Sequence, residues 1–142
     1  MRFLFVWVLI ALAAAAHADT KAISDTQAAK ELAESAMKKF VAGDMAGGFD
    51  LLKPYWHLPD TEISQLVLQS IQQRSALQSR YGASLGYEYI AWTAVGDSLV
   101  RFVYLEKNEN HPYTWQFYFY KAKDVWLVDG VGYNDRVQEL FR

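Results

Sequence analysis

Beyond an apolar N-terminal run, hydrophobic positions follow two rhythms along this chain. Ala29, Leu32, Ala33, Ala36, Met37, Phe40 and Val41 recur at helical spacing and make one apolar face. Ser24-Asp25-Thr26-Gln27 reads as a capping box opening that helix at Ser24, and Gly43 can take the left-handed conformation that ends it. Asp44 is placed to cap a short second helix carrying Met45, Phe49 and Leu52; Gly47 and Gly48 weaken it, and Pro54 stops it. After the connector Tyr55-Trp56-His57-Leu58-Pro59, Asp60 is a good cap for a third helix. Its Ile63, Leu66, Val67, Ile71 and Leu77 face one way, and Gly82 closes it.

The second rhythm is alternation, which predicts strands. Residues 86–95 alternate loosely up to Gly96-Asp97, and residues 98–107 follow directly. Asn108 to Pro112 is a turn, and residues 113–121 place Tyr113, Trp115, Phe117 and Phe119 on one face with Tyr118 and Tyr120 on the other. Residues 125–133 make a fourth strand, and Asp135 is placed to cap a last short helix with Val137, Leu140 and Phe141. Helices followed by strands joined through short turns predict an α+β domain, its N-terminal helices packed on an antiparallel meander of about four strands. The aromatic third strand leaves two readings: Tyr118 and Tyr120 keep their hydroxyls in water while their rings cover neighbours, or both faces of the sheet are covered, by helices on one side and by the C-terminal helix or a second chain on the other, the last of which would make a homodimer.

The N-terminal run changes the picture of the chain's address. Arg2 precedes fourteen apolar residues, Phe3 to Ala16, and Ala16-His17-Ala18 is a small-x-small exit. Such a segment reads as a secretory signal peptide over residues 1–18, cleaved after Ala18, and is short of the roughly 20 residues a spanning helix needs. The expected mature domain is 19–142, in the periplasm or secreted, with no membrane anchor after cleavage. Loss of Arg2 takes the basic count from 14 to 13 against 16 acids, a net charge of about −3. Basic residues are scattered, so a nucleic-acid partner is not expected. With no cysteine in the chain, a hydrophobic core must hold the fold without disulfides.

Trp115-Gln116-Phe117-Tyr118-Phe119-Tyr120-Lys121 followed by Val125-Trp126-Leu127-Val128 resembles the last hairpin of the nuclear-transport-factor-2-like superfamily. The first helix, with Ala36 and Phe40 before Gly43-Asp44, is similar to the opening helix and turn of many secreted bacterial members. The resemblance spans most of residues 26–133 and implies a cone-shaped, cystatin-like α+β fold with a curved sheet, often dimeric through it, with a pocket between sheet and helices. It extends to small secreted envelope proteins of gram-negative bacteria. It implies no single function, because such folds host enzymes, binding modules and assembly parts.

No catalytic signature stands out. His57 and His111 are far apart beside proline-containing turns, and no ligand spacing completes a metal site. The helix serines lack a nucleophile-elbow context, and the Gly43–Gly48 stretch lacks the lysine of a phosphate loop. No cofactor is expected. Arg74, near the apolar face of the third helix, and Arg101, inside a strand, suit a carboxylate partner such as Glu88 or Asp129, or an anionic ligand. Trp56 and Trp115 could line a pocket or belong to the core. The first expectation is therefore an exported, non-catalytic domain that binds a small apolar or anionic ligand or an envelope protein, with Trp56, Arg74, Arg101, Trp115, Tyr118 and Asp129 as candidate ligand-binding residues. The isomerase branch of the resembled superfamily suggests an alternative, an isomerase- or dehydratase-like enzyme using Asp129 with Tyr118 or Tyr133 in an apolar cavity. A structural or assembly factor of the envelope is the third reading.

Overall fold

A computed structural model describes residues 19–142; the expected signal segment, residues 1–18, lies outside the described residues. Three helices, α1 (Thr26–Val41), α2 (Met45–Leu52) and α3 (Asp60–Tyr81), precede four strands, β1 (Ser84–Val95), β2 (Leu99–Asn108), β3 (Tyr113–Lys121) and β4 (Trp126–Asn134). The strands form an open antiparallel sheet in sequence order. The protein is α+β, with helices packed on one face of a four-stranded meander.

Local chemistry sets the helix ends, with two shifts from expectation. Asp25, not Ser24, caps α1: its carboxylate accepts from the Ala28 N–H at 2.8 Å, while Gln27 reaches forward to Glu31 at 3.0 Å instead of back to the cap. Gly43 turns the chain at φ 86°, and Asp44 caps α2 by accepting from Gly47 N–H at 2.8 Å. Pro54 falls in a 3-10 turn, Lys53–Tyr55, that ends α2. Asp60 is the first residue of α3 and leaves the cap position to Pro59; its carboxylate pairs with Lys53 at 3.3 Å and, with Glu62, puts negative charge at the positive end of the helix dipole.

The core lies between helices and sheet. Ala29, Ala33, Ala36, Met37 and Phe40 of α1 and Met45, Phe49 and Leu52 of α2 meet Phe102, Tyr104, Trp115, Phe117, Phe119 and Val128. Small alanines bring α1 close to the sheet so that the large rings of β3 fill the space. Gly48 has a packing reason to be in α2, since a β-carbon there would overlap the Phe40 ring. α3 departs from the apolar count. Its buried positions are Ile63, Ser70, Arg74 and Tyr81, whereas Ile71 is exposed.

The loose alternation of β1 comes from irregularities at Ser84/Gly86 and Tyr89/Ala91, each of which shifts the side-chain phase. Asp129 is the extra residue of a bulge in β4, where Tyr118 pairs with Gly130 and Phe119 with Val128. The outer edge of β4 is partly covered: Ile23 and Trp126 exchange two backbone hydrogen bonds of 2.9 Å, and Trp56 bridges to Val128. The expected C-terminal helix is a 3-10 segment, Val137–Phe141. Asp135 does not cap it; Asn134 Oδ1 accepts from the Arg136 N–H at 2.9 Å, and Phe141 is exposed.

Candidate functional site

Arg74 and Trp115 converge beneath α3 on a residue the sequence reading passed over. Glu106, fully buried on β2, takes two hydrogen bonds from the Arg74 guanidinium, at 3.1 and 2.7 Å, and a third from Trp115 Nε1 at 2.7 Å. The fork geometry matches guanidinium to carboxylate and fixes the azimuth of α3 over β2 and β3. Arg74 therefore pairs with Glu106, not with Glu88 or Asp129. Glu88 is exposed on β1 and lies 3.4 Å from Lys107. With both Nη atoms committed and the pair shut from solvent, Arg74 is an internal clamp. The signal that finds Glu106 is its phase: counting by two from Phe102 and Tyr104 lands on it.

The interior expected to hold a ligand is filled by rings. Trp115 stacks between Phe40 and Tyr133 with centroid distances of 4.5 Å on both sides. Beside this stack, a cleft of about 170 Å³ is bordered by Gln69, Ser70, Gln73 and Tyr133, below the roughly 300–1,000 Å³ of pockets that enclose small molecules. Tyr133 donates to the Ser70 carbonyl at 3.2 Å, and burial pushes its hydroxyl up to about 12. A raised value favours the protonated form in the folded chain. Stability from Tyr133 is thus fully present below the ordinary tyrosine value near 10 and lost as pH rises from there through about 12. Chemical denaturation at pH 9 and pH 11.5 should show the lower stability at the higher pH, by more for the wild type than for Tyr133→Phe.

Tyr133 shares no cavity with the other members of the acid–tyrosine arrangement. Asp129 is exposed at its bulge, and Tyr118 is on the opposite face of the sheet, donating to Gln116 Oε1. The chemistry of a general base aimed at an oxyanion donor is not assembled there. Trp56 is buried and packs 6.5 Å from Phe49. Its edge borders an open groove of about 640 Å³ that also includes Lys53, His57 and the first described residues, Asp19 to Lys21. Among the described residues no three His, Cys, Asp or Glu side chains gather to hold a metal ion, and no helix is long and apolar enough to cross a membrane.

His111 is more than a loop histidine. Its ring packs 4.7 Å from Tyr81, and its Nε2 lies 3.0 Å from the Asp135 carbonyl oxygen. Tyr81 donates to the Asp135 carboxylate at 2.7 Å, which holds that carboxyl below its ordinary range and raises the phenol. The end of α3, the β2–β3 turn and the start of the C-terminal segment are tied together there.

The outer face of the sheet holds Arg101, Val103, Thr114 and Gln116. The C-terminal segment roofs them through Arg136, Glu139, Leu140 and Arg142, leaving a cleft of about 210 Å³. Its cover is why Val103 and Thr114 are buried on the face away from the helices. Ile90, Ala91 and Thr93 of β1 wall the cleft on one side, and residues 88–98 are exposed without interruption, so β1 ends in an exposed arm bearing Tyr89, Ile90, Trp92 and Val95. Of the six candidate residues, the fold joins Arg74 to Trp115 within the core, places Trp56 in another part of it, and leaves Arg101, Tyr118 and Asp129 off the helix-covered face. Comparison with protein-family models, with curated proteins and with solved structures finds no match to this chain.

Proposed function

We propose that residues 19–142 act, after export to the periplasm or beyond, as a non-catalytic binding domain that takes an extended segment of an envelope protein along β1. The fold would be the cone-shaped type implied by the resemblance to the nuclear-transport-factor-2-like superfamily. The observation that supports this reading is the state of β1. It is a twelve-residue edge strand whose residues from Tyr89 to Val95, YIAWTAV, include no charge, proline or glycine and are all exposed. Unpaired N–H and C=O groups beside exposed apolar side chains are a template for strand addition. Soluble proteins normally blunt such edges. Here the irregularity between Tyr89 and Ala91 breaks the ladder and restricts which segment fits. The opposite edge of the sheet is partly covered by Ile23 and Trp56, and the interior is filled by Trp115 and its neighbours, which leaves β1 as the open edge of the sheet.

A photo-crosslinking residue at Ile90 in the full-length protein, expressed in a gram-negative host, should give a discrete adduct with an envelope protein. The same residue at Leu68, exposed on α3, should not. Introducing Trp92→Asp should abolish the adduct while leaving the circular dichroism unchanged. An adduct of twice the chain mass, with dimer in light scattering, would replace the foreign segment by a second copy. Equal crosslinking from both positions, or none from Ile90, would sink the reading.

A further inference from the structure

We propose that the outer-face cleft, whose β1 wall is Ile90, Ala91 and Thr93, is a binding site for a short-chain carboxylate, with Arg101 as its charge partner; the inference does not rest on strand addition at β1. Arg101 takes part in none of the five ion pairs among the described residues, and its Nε is shielded from solvent without a hydrogen-bond partner. A half-buried guanidinium in that state has lost hydration at Nε without gaining a protein acceptor there. Thr114, 2% exposed, lines the same cleft, and its hydroxyl is also unpartnered. Of the other two arginines at the cleft, Arg136 pairs with Glu139 at 3.2 Å and Arg142 is exposed. The cleft therefore holds an arginine with no carboxylate partner among the described residues, in a protein whose overall charge is negative.

Size and lining select the ligand class. A volume of 210 Å³ corresponds to about seven waters at roughly 30 Å³ each, room for a carboxylate with a few carbons. Val103, buried at the floor, and Leu140 in the roof offer apolar contact to a short tail. A guanidinium takes a carboxylate through two parallel hydrogen bonds. Inorganic phosphate, with no apolar part, would leave Val103 and Leu140 facing a hydrated anion.

Butyrate titrated into the isotope-labelled full chain tests the site. Saturable amide shifts are expected at Val103, Thr114 and Leu140, at least tenfold weaker binding in Arg101→Met, and unchanged binding in Arg80→Met, which changes a cation outside the cleft. Leu140→Asp, which sets a negative charge in the roof of the cleft, should also weaken binding and reports on the site even if Arg101→Met fails to fold. Phosphate should bind at least fivefold more weakly than butyrate at equal ionic strength. Absence of saturation by butyrate, butyrate affinity unaltered in a folded Arg101→Met, or phosphate binding as tightly as butyrate would each overturn the proposal.

Discussion

Glu106→Leu should lower the unfolding free energy by about 3–5 kcal/mol, the usual cost of stranding one member of a buried ion pair. Three donors lose their acceptor at once: both Nη atoms of Arg74 and the indole N–H of Trp115. Arg74 is 4% exposed and cannot reach water without lifting α3 from the sheet. Domains of this size are stable by only about 5–15 kcal/mol, so the loss is about a fifth or more of the total and displaces the urea midpoint by about 1 M or more for an m-value of about 1–3 kcal/mol/M. Arg74→Met alone should cost less, because the uncompensated group is then a carboxylate that can take a proton and keep the Trp115 contact as a neutral acid. Joining the two changes in Arg74→Met/Glu106→Leu should return stability to within about 1–2 kcal/mol of wild type, since an apolar pair of similar volume replaces the ions without leaving a charge behind. If Glu106→Leu unfolds at the wild-type urea concentration, the pair is solvent-accessible and the clamp does not exist.

Hydrophobic spacing made the apolar face of α1, the Gly43-Asp44 junction and the whole of β3 readable, because each depends on neighbours within a few residues. The Arg74–Glu106 clamp was not readable in that way. Its partners are 32 residues apart, and which acid meets which base depends on the meander's register. Counting apolar residues alone also rotated α3 by about one position, toward exposed Ile71, because its buried stripe includes the polar Ser70 and Arg74. A polar residue in helical phase with Ile63 would have corrected the face, just as Glu106 is in strand phase with Tyr104. Among the candidate residues, Trp56 and Trp115 were legible as large rings but not as core rather than pocket. That distinction depends on how much volume α1 and α2 leave above the sheet. Asp129 was conspicuous in an apolar strand because a bulge, invisible to strict alternation, turns it outward. The chemistry of Arg101 is set by what fails to pair with it, which spacing along a chain cannot report.

Phe40→Ala should be the most damaging change in the apolar core, at about 3–5 kcal/mol, because the ring joins all three parts of the fold. It stacks on Trp115 at 4.5 Å, packs against Phe49 at 5.2 Å and lies over the bare backbone of Gly48. Removing it opens a cavity that α1 cannot readily close, since apart from Met37 its other buried side chains are the short ones of Ala29, Ala33 and Ala36. The same contact can be tested from the other side. In the wild type, Gly48→Ala forces a β-carbon into the Phe40 ring and should cost about 1–3 kcal/mol. In the Phe40→Ala background that space is empty, and Gly48→Ala should instead stabilise by up to about 1 kcal/mol, because alanine is the better helix former. The sign reversal separates ring contact from any general intolerance of α2 to substitution. Urea unfolding of the four proteins in the cycle measures it, and an equal cost for Gly48→Ala in both backgrounds would mean that the ring does not rest on Gly48.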